Sequence, residues 1–372
     1  MILKPDRKQP PFWLFAGLPI ALLLGTISLY QQKALSAAIV NASGSRLNGT
    51  VIDTVTETLS HEKPVESTVD KVTETFGQVE PVESTIIQDV LHDEYIAVCL
   101  LAKDQALDMV EFFQHHYYEM GIRRFWVMDD ASEPPLSTFQ YDYGIPHEAI
   151  DFVYHPKTTD TLCETDANLQ QRPIIDYCLQ NHARNHSWVA VIDADEFIDT
   201  PGPETLEEIL RDFEQTRPDV GAIGINWQMH TSNGQINRVE SSRKTYLECI
   251  SDGEEKMGES GNKHVKSILR PEAYASPQNP HTFNLQPGFV TVGEHGDAMP
   301  QSAFRQPITR DRLSLQHYVL KSWEDYYDKT SRSGKDWNFW NYMEYKAEHN
   351  ACPQMLRYFA KPPNRPHSFR GL

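Results

Sequence analysis

Residues 188 to 192 (WVAVI) are apolar on both faces and stop abruptly at Asp193-Ala-Asp-Glu196. A strand without polar alternation must be covered on both sides, so this run requires a sheet layered between helices. Residues 95 to 102 (YIAVCLLA) form a second such run. Between them, Leu107, Val110, Phe113 and Tyr117 recur at helical spacing over residues 106 to 120, with Gly121 as a natural C-cap. Strands are expected at 124 to 128 and 150 to 154, with a helix at 166 to 185 broken or shifted near Pro173. Strands alternating with helices predict an α/β fold: a mixed, mainly parallel sheet, right-handed crossovers and a ligand crevice beyond the strand carboxyl ends. Two acidic turns, Asp129/Asp130 and Asp193/Asp195, fall at that edge.

In extended backbone, residues i and i+2 project to the same side, so Asp193 and Asp195 can face one ion or its water shell. Hard carboxylate oxygens at a sheet edge suit Mg²⁺ or Mn²⁺, which share the rest of their coordination with a diphosphate. A solvated acidic turn is the commoner origin of such a triplet. Its place directly after a buried strand, in a βαβ frame with a second acidic turn, favours the functional reading.

Charge bears on the same question. The 372 residues carry 34 Lys+Arg against 52 Asp+Glu, a net of -18, which argues against gripping a nucleic acid backbone. A diphosphate ligand therefore needs a local cation, and a divalent ion on the acidic turn supplies one. The charge is uneven: residues 1 to 33 are basic and residues 34 to 92 strongly acidic. Residues 12 to 30 are uncharged and long enough, at about 1.5 Å per residue, to span a bilayer. With Lys4, Arg7 and Lys8 before this run, residues 1 to 11 form a cytoplasmic tail and 12 to 30 a transmembrane signal-anchor, leaving the rest in a secretory lumen. A cleaved signal peptide, and hence secretion, is the alternative. Residues 31 to 92 read as a stalk, because 53 to 86 hold two gapless 17-residue repeats too poor in large apolar residues to fold alone. Asn41, Asn48 and Asn185 open N-x-Ser/Thr acceptors. Five cysteines allow two bridges with one left over, and Cys99, in an apolar run, is expected as a buried free thiol.

Several segments together resemble GT-A glycosyltransferases of family 92 and the related family 2 type. They are Cys99-Leu-Leu-Ala-Lys-Asp104, the helix with Glu111-Phe-Phe-Gln-His-His116, Gly121-Ile-Arg-Arg-Phe-Trp-Val127, Asp129-Asp-Ala-Ser132 and Ile192-Asp-Ala-Asp-Glu-Phe197. Downstream, Asn226-Trp-Gln-Met-His230, Lys263-His-Val-Lys-Ser-Ile-Leu-Arg-Pro271 and Gln316-His-Tyr-Val-Leu-Lys-Ser322, leading to Lys329, fit as well. The resemblance implies a Rossmann-like GT-A domain over 93 to 345; residues 346 to 372 read as a C-terminal tail, peripheral after Cys352. It implies inverting transfer of a sugar from a nucleotide sugar, a UDP-sugar foremost, to a glycan hydroxyl in the Golgi lumen, by a single-pass type II membrane enzyme.

The same resemblance gives Asp193 and Asp195 the metal-binding role, with His317 or His281 completing the Mn²⁺ or Mg²⁺ site, and brings Leu101, Ala102, Lys103 and Asp130 near the nucleoside. Lys266, in a basic patch with Lys263 and Arg270, is a candidate for the diphosphate. Inversion requires a base near the acceptor hydroxyl, and Glu294, Asp297, Glu240 and Glu196 are candidates, the glycine-flanked loop with Glu294 and Asp297 favoured. His115 and His116 read as packing or surface residues. The family pattern departs at Asp104-Gln105 and His230-Thr-Ser-Asn233, which bears on acceptor choice. A non-catalytic lumenal carbohydrate-binding protein of the same fold is the alternative. A metal-dependent phosphohydrolase is disfavoured, because the sequence offers no glycine-rich phosphate loop and no second carboxylate-histidine cluster.

Overall fold

The structure is a computed structural model, and it describes residues 94–156, 167–253, 261–300, 302–333 and 337–360. The anchor, the stalk, Asn41, Asn48 and Cys163 lie outside the described residues. No helix among the described residues is long and apolar enough to cross a membrane.

In chain order the main elements are β1 (Ile96–Ala102), α1 (Ala106–Gln114), β2 (Arg124–Asp130), β3 (Ile150–His155), α2 (Ala167–Asn181), β4 (Trp188–Asp193), β5 (Glu196–Asp199), α3 (Leu206–Thr216) and β6 (Val220–Met229). There follow β7 (Glu248–Ile250), β8 (Val265–Leu269), β9 (Tyr274–Pro277), β10 (Phe283–Leu285), β11 (Val290–Val292) and β12 (Ser314–His317). The last are α4 (Trp323–Ser333), α5 (Trp337–Tyr345) and β13 (His349–Ala351). The main sheet runs β3-β2-β1-β4-β8-β6-β12-β5, with β11 also on β6. Its first four strands are parallel, as the apolar runs require. β8 then enters antiparallel between β4 and β6, and β5 antiparallel to β12, so the sheet is mixed.

Strand alternation divides β1 between two cores. Ile96, Val98 and Leu100 pack with Met109 and Phe112 of α1 and Ile209 and Phe213 of α3. Ala97 and Cys99 pack with Ile175, Cys178 and Leu179 of α2 on the opposite face. α3 starts with a capping box: Thr205 Oγ1 accepts from Glu208 N at 3.2 Å, and Glu208 Oε2 from Thr205 N at 2.8 Å.

Four expectations change. Cys99 is not a free thiol but is bonded to Cys178, and a second disulfide joins Cys249 to Cys352. α2 runs through Pro173 without a break. The first helix leaves α geometry at His115 and finishes as a π-turn over His115–Glu119. The stretch after Cys352 is not peripheral as far as Ala360: Tyr358 Oη donates to buried Asp199 at 2.7 Å, just beyond the Cys249–Cys352 disulfide.

Candidate active site

Parallel register sets three strand ends side by side. Leu101 lies opposite both Asp193 and Met128, Ala102 opposite Asp129, and Asp130 opposite His155. Leu101 is half-buried, Ala102 buried and Lys103 exposed, so this edge offers backbone and one cation to a ligand. The first acidic turn divides its labour. Buried Asp129 accepts from the backbone amides of Ser132 at 2.9 Å and Leu136 at 2.7 Å and closes the loop. Asp130, half-buried, stays at the edge. Asp104, at φ 52, ties the β1 and β2 loops together: its amide donates to Ser132 Oγ at 2.8 Å, and its carboxylate accepts from Glu133 N at 3.0 Å.

The second turn is a compact charge network. β8, lying beside β4, brings Lys266 Nζ to 2.9 Å from Asp193 Oδ2 and 3.6 Å from Glu196 Oε2. Glu196 folds back so that Oε2 accepts from Asp193 N at 2.9 Å, which fixes the turn. β12 sets His317 opposite Glu196, with Nε2 3.6 Å from Asp195 Oδ1. From α4, Lys329 Nζ donates to Asp195 Oδ2 at 2.7 Å. Trp227 of β6 walls the site, its ring 4.3 Å from His317, 4.7 Å from His264 and 5.3 Å from His281.

The electrostatics follow from this arrangement. Burial pushes the carboxyls of Asp193 and Asp195 up, but Lys266 beside the first and Lys329 and His317 beside the second outweigh it, so both lie below the ordinary carboxylate range. Glu196 goes the other way, well above its ordinary value, because burial and the two aspartates outweigh Lys266. Burial lowers His317 despite Asp195, and burial with Lys266 and His264 lowers His281 to about 3, so both imidazoles are neutral at pH 7. Ionised carboxylates and a neutral imidazole are the donor set a divalent cation takes. Glu196 Oε1 and His317 Nδ1, 4.0 Å apart, are buried without a hydrogen-bond partner among the described residues. Asp193 and Asp195 are each ion-paired to a lysine, so a cation at this turn would have to take a carboxylate from Lys266 or Lys329. His281 is turned to structural use, its Nδ1 2.9 Å from Val265 O, whereas His317 faces Asp195 directly.

Ala194, between the two aspartates, opens on a cleft of about 550 Å³ between α1, the segment 238–246 and the helical turn Arg357–Ala360. Exposed Glu240 lines this cleft. Three of its cations are paired: Arg243 to Glu111 at 3.0 Å, Lys321 to Asp108 at 2.8 Å and Arg238 to Asp325 at 2.7 Å.

Glu294 and Asp297 belong to another cluster. Glu294 accepts from the backbone amides of Asp311, Arg312 and Leu313, which pins the chain entering β12. Asp297 holds Arg305 through both oxygens, at 2.8 and 3.0 Å, and Arg305 in turn reaches Asn226, on the face of β6 opposite Trp227 by strand alternation. Of the candidate bases only Glu196 sits in the acidic turn itself; Glu240 lines the cleft that Ala194 also lines, and backbone amides and an arginine already claim the carboxylates of Glu294 and Asp297. Glu294, His295 and Asp311 also form a trio of possible metal ligands, with the last two exposed.

Two contributors carried no role in the sequence reading. Lys329 reaches Asp195 from 134 positions away, and in the sequence it stood out only as the residue to which the Gln316–Ser322 segment leads. His115 and His116 are buried, and both hydrogen-bond Ile198 of β5, the strand that follows the acidic turn. Two adjacent histidines at the end of an apolar helix face were the available signal.

An α/β sheet of this kind, with its acidic turns and cleft, belongs here to a glycosyltransferase. More narrowly, the chain belongs to glycosyltransferase family 92, whose family model matches residues 94–351. A family 92 protein of Oryza sativa subsp. japonica is 23% identical over 236 residues, 63% of this chain and 35% of the relative, so the chain spans about a third of that relative's length. Among solved structures, a mannosyltransferase from Pyrobaculum calidifontis in complex with GDP-Man and Mn²⁺ is 18% identical over 35% of each chain, at a TM-score of 0.25. An active-site mutant of LgtC is 12% identical over 60% of this chain and 87% of its own, at a TM-score of 0.28.

Proposed function

We propose that this glycosyltransferase moves a sugar from a nucleotide sugar, a UDP-sugar foremost, to a glycan hydroxyl with inversion, and that it depends on Mn²⁺ or Mg²⁺. The observation that carries the reading is geometric: Asp193 and Asp195 share the turn after β4, and His317 of β12 has its Nε2 3.6 Å from Asp195 Oδ1. Asp193, Asp195 and His317 would hold the cation, which when bound supplies charge stabilisation to the departing nucleoside diphosphate.

The chain's own residues do the rest. Leu101, Ala102 and Lys103 with Asp130 border the nucleoside position. Lys266 stays locked between Asp193 and Glu196 and keeps the turn rigid. Glu240, on the cleft that opens at Ala194, is the candidate base. It takes the acceptor hydroxyl proton as the new bond to the anomeric carbon forms and the bond to the diphosphate oxygen breaks.

The uncharged run at 12 to 30 and two disulfides in the catalytic domain support a lumenal, membrane-anchored enzyme of the secretory pathway, the Golgi in our reading. A screen of nucleotide sugars with Mn²⁺, following released UDP or GDP and assigning the product anomer by NMR, tests the reaction. Release of nucleotide with a retained anomer would remove inversion, and no release from any donor would remove the reading.

A further inference from the structure

Asn185-His-Ser187 is the one N-x-Ser/Thr triplet among the described residues, and the proposed reaction leaves it unused. It sits at the amino end of β4. Ala183–Asn185 is a single 3₁₀ turn, His186 leaves it extended at φ -99 and ψ 152, and the strand starts at Trp188. Five residue steps at about 3.3 Å each, roughly 16 Å in all, separate Trp188 from Asp193, so the triplet and the acidic turn lie at opposite edges of the sheet.

The backbone of the triplet is committed, and its two outer side chains are not. His186 N donates to Ala183 O and Ser187 N to Tyr95 O, each at 3.1 Å, which fixes the segment against the start of β1. The His186 ring is buried beneath it, with Nδ1 donating to Glu94 O at 2.8 Å and Nε2 accepting from Trp126 Nε1 at 3.2 Å. Asn185 and Ser187 are exposed, and neither side chain has a hydrogen bond or ion pair among the described residues. The neighbouring edge is polar: Arg124 is paired with Glu94 and, at 2.9 Å, with Asp151.

We propose that Asn185 is an N-glycosylation site. Its Nδ2 bonds to the anomeric carbon of an oligosaccharide carried on a polyprenyl diphosphate; the bond from that carbon to the diphosphate oxygen breaks, the lipid diphosphate leaves, and the amide gives up one proton to the transferring enzyme. A bulky polar group on Asn185 displaces no contact and covers the amino edge only, leaving the acidic turn open. This rests on the reading of residues 12 to 30 as an anchor that leaves the domain in a secretory lumen.

The test uses the full chain made in a eukaryotic secretory host, digested with peptide N-glycosidase in heavy-oxygen water and mapped by mass spectrometry, which marks each former glycan site as labelled aspartate. Most molecules should carry the label at position 185. Asn185→Gln and Ser187→Ala should each lose one glycan-sized step in gel mobility, and Ser187→Thr, which keeps the triplet, should retain it. The wild-type map decides the question even where a variant fails to fold. Label at Asn41 or Asn48 with none at Asn185 overturns the site and leaves the lumenal reading standing. No label at any of the three removes the lumenal reading and the site with it.

Discussion

His115 and His116, adjacent in sequence, hold the two backbone groups of Ile198 in opposite tautomers. Arg243 donates to His115 Nδ1 at 2.7 Å, so Nε2 carries the proton and donates to Ile198 O at 2.6 Å. His116 Nδ1 donates to Phe112 O at 2.9 Å, leaving Nε2 to accept from Ile198 N at 3.2 Å. β5 ends the sheet, and this pair supplies the partners a neighbouring strand would have given. The π-turn sets both rings against the same residue. The acidic turn is thereby anchored from its far side.

That arrangement makes stability depend on pH. Burial, reinforced for each by Arg243, lowers His115 well below its ordinary value and His116 to about 3. A group depressed in the folded state is protonated preferentially in the unfolded chain, so its contribution is complete above about pH 6.5 and is lost as pH falls toward the folded value. Each histidine should cost about 1.4 kcal/mol per pH unit below pH 6. Urea unfolding at pH 7.5, 6 and 5 should show His116→Gln less stable at pH 7.5 but with a shallower loss on acidification. Parallel slopes in variant and wild type would contradict this account.

Lys266 is expected to be structural before it is anything else. Removing its charge leaves Asp193 and buried Glu196 facing each other across the turn, and Lys266→Met should cost about 3 kcal/mol or more in denaturant unfolding. A variant as stable as the wild type would show that the network is not holding the turn.

Glu240 carries the proton transfer in the proposed reaction. Glu240→Gln should lower kcat by about 10²- to 10⁴-fold with the donor KM little changed. A fall in kcat smaller than tenfold would move the base elsewhere on the cleft, and Glu294→Gln should act through stability instead, since it pins residues 311 to 313.

The Cys249–Cys352 bond closes a sequence separation of 103 and ties residues 346 to 360 to the domain. Replacing both cysteines by serine should destabilise by about 2–4 kcal/mol in urea unfolding. Peptide mapping without reductant should recover the pairs 249–352 and 99–178, and any other pairing would contradict the fold.

What was legible in the sequence follows the physics of each element. β1 and β4 announce themselves because both faces are buried, and their shared direction follows from the intervening helices. The second half of the sheet was not legible as such: β5, β8 and β12 are four or five residues long, and their order depends on pairings such as His317 with Glu196, far apart in the chain. The place of Asp193 and Asp195 at the end of β4 was readable from strand and turn, whereas Lys329 becomes a partner only once α4 is folded against the turn. Cys99 misled because an apolar strand hides a thiol and a disulfide equally well, and its partner Cys178 is on the covering helix. Glycines around Glu294 suggested access to substrate, but the amides of the chain entering β12 had already taken its oxygens.

The central claim, that the turn after β4 is where cation and nucleotide meet, is tested most directly by thermal unfolding with UDP or GDP and Mn²⁺, wild type against Asp195→Ala. Ligand at about a hundred times its Kd should stabilise the wild type by about 2.7 kcal/mol, with a rise in Tm that disappears without Mn²⁺ and in Asp195→Ala. An equal rise in both proteins, or none with either nucleotide in the wild type, would contradict it.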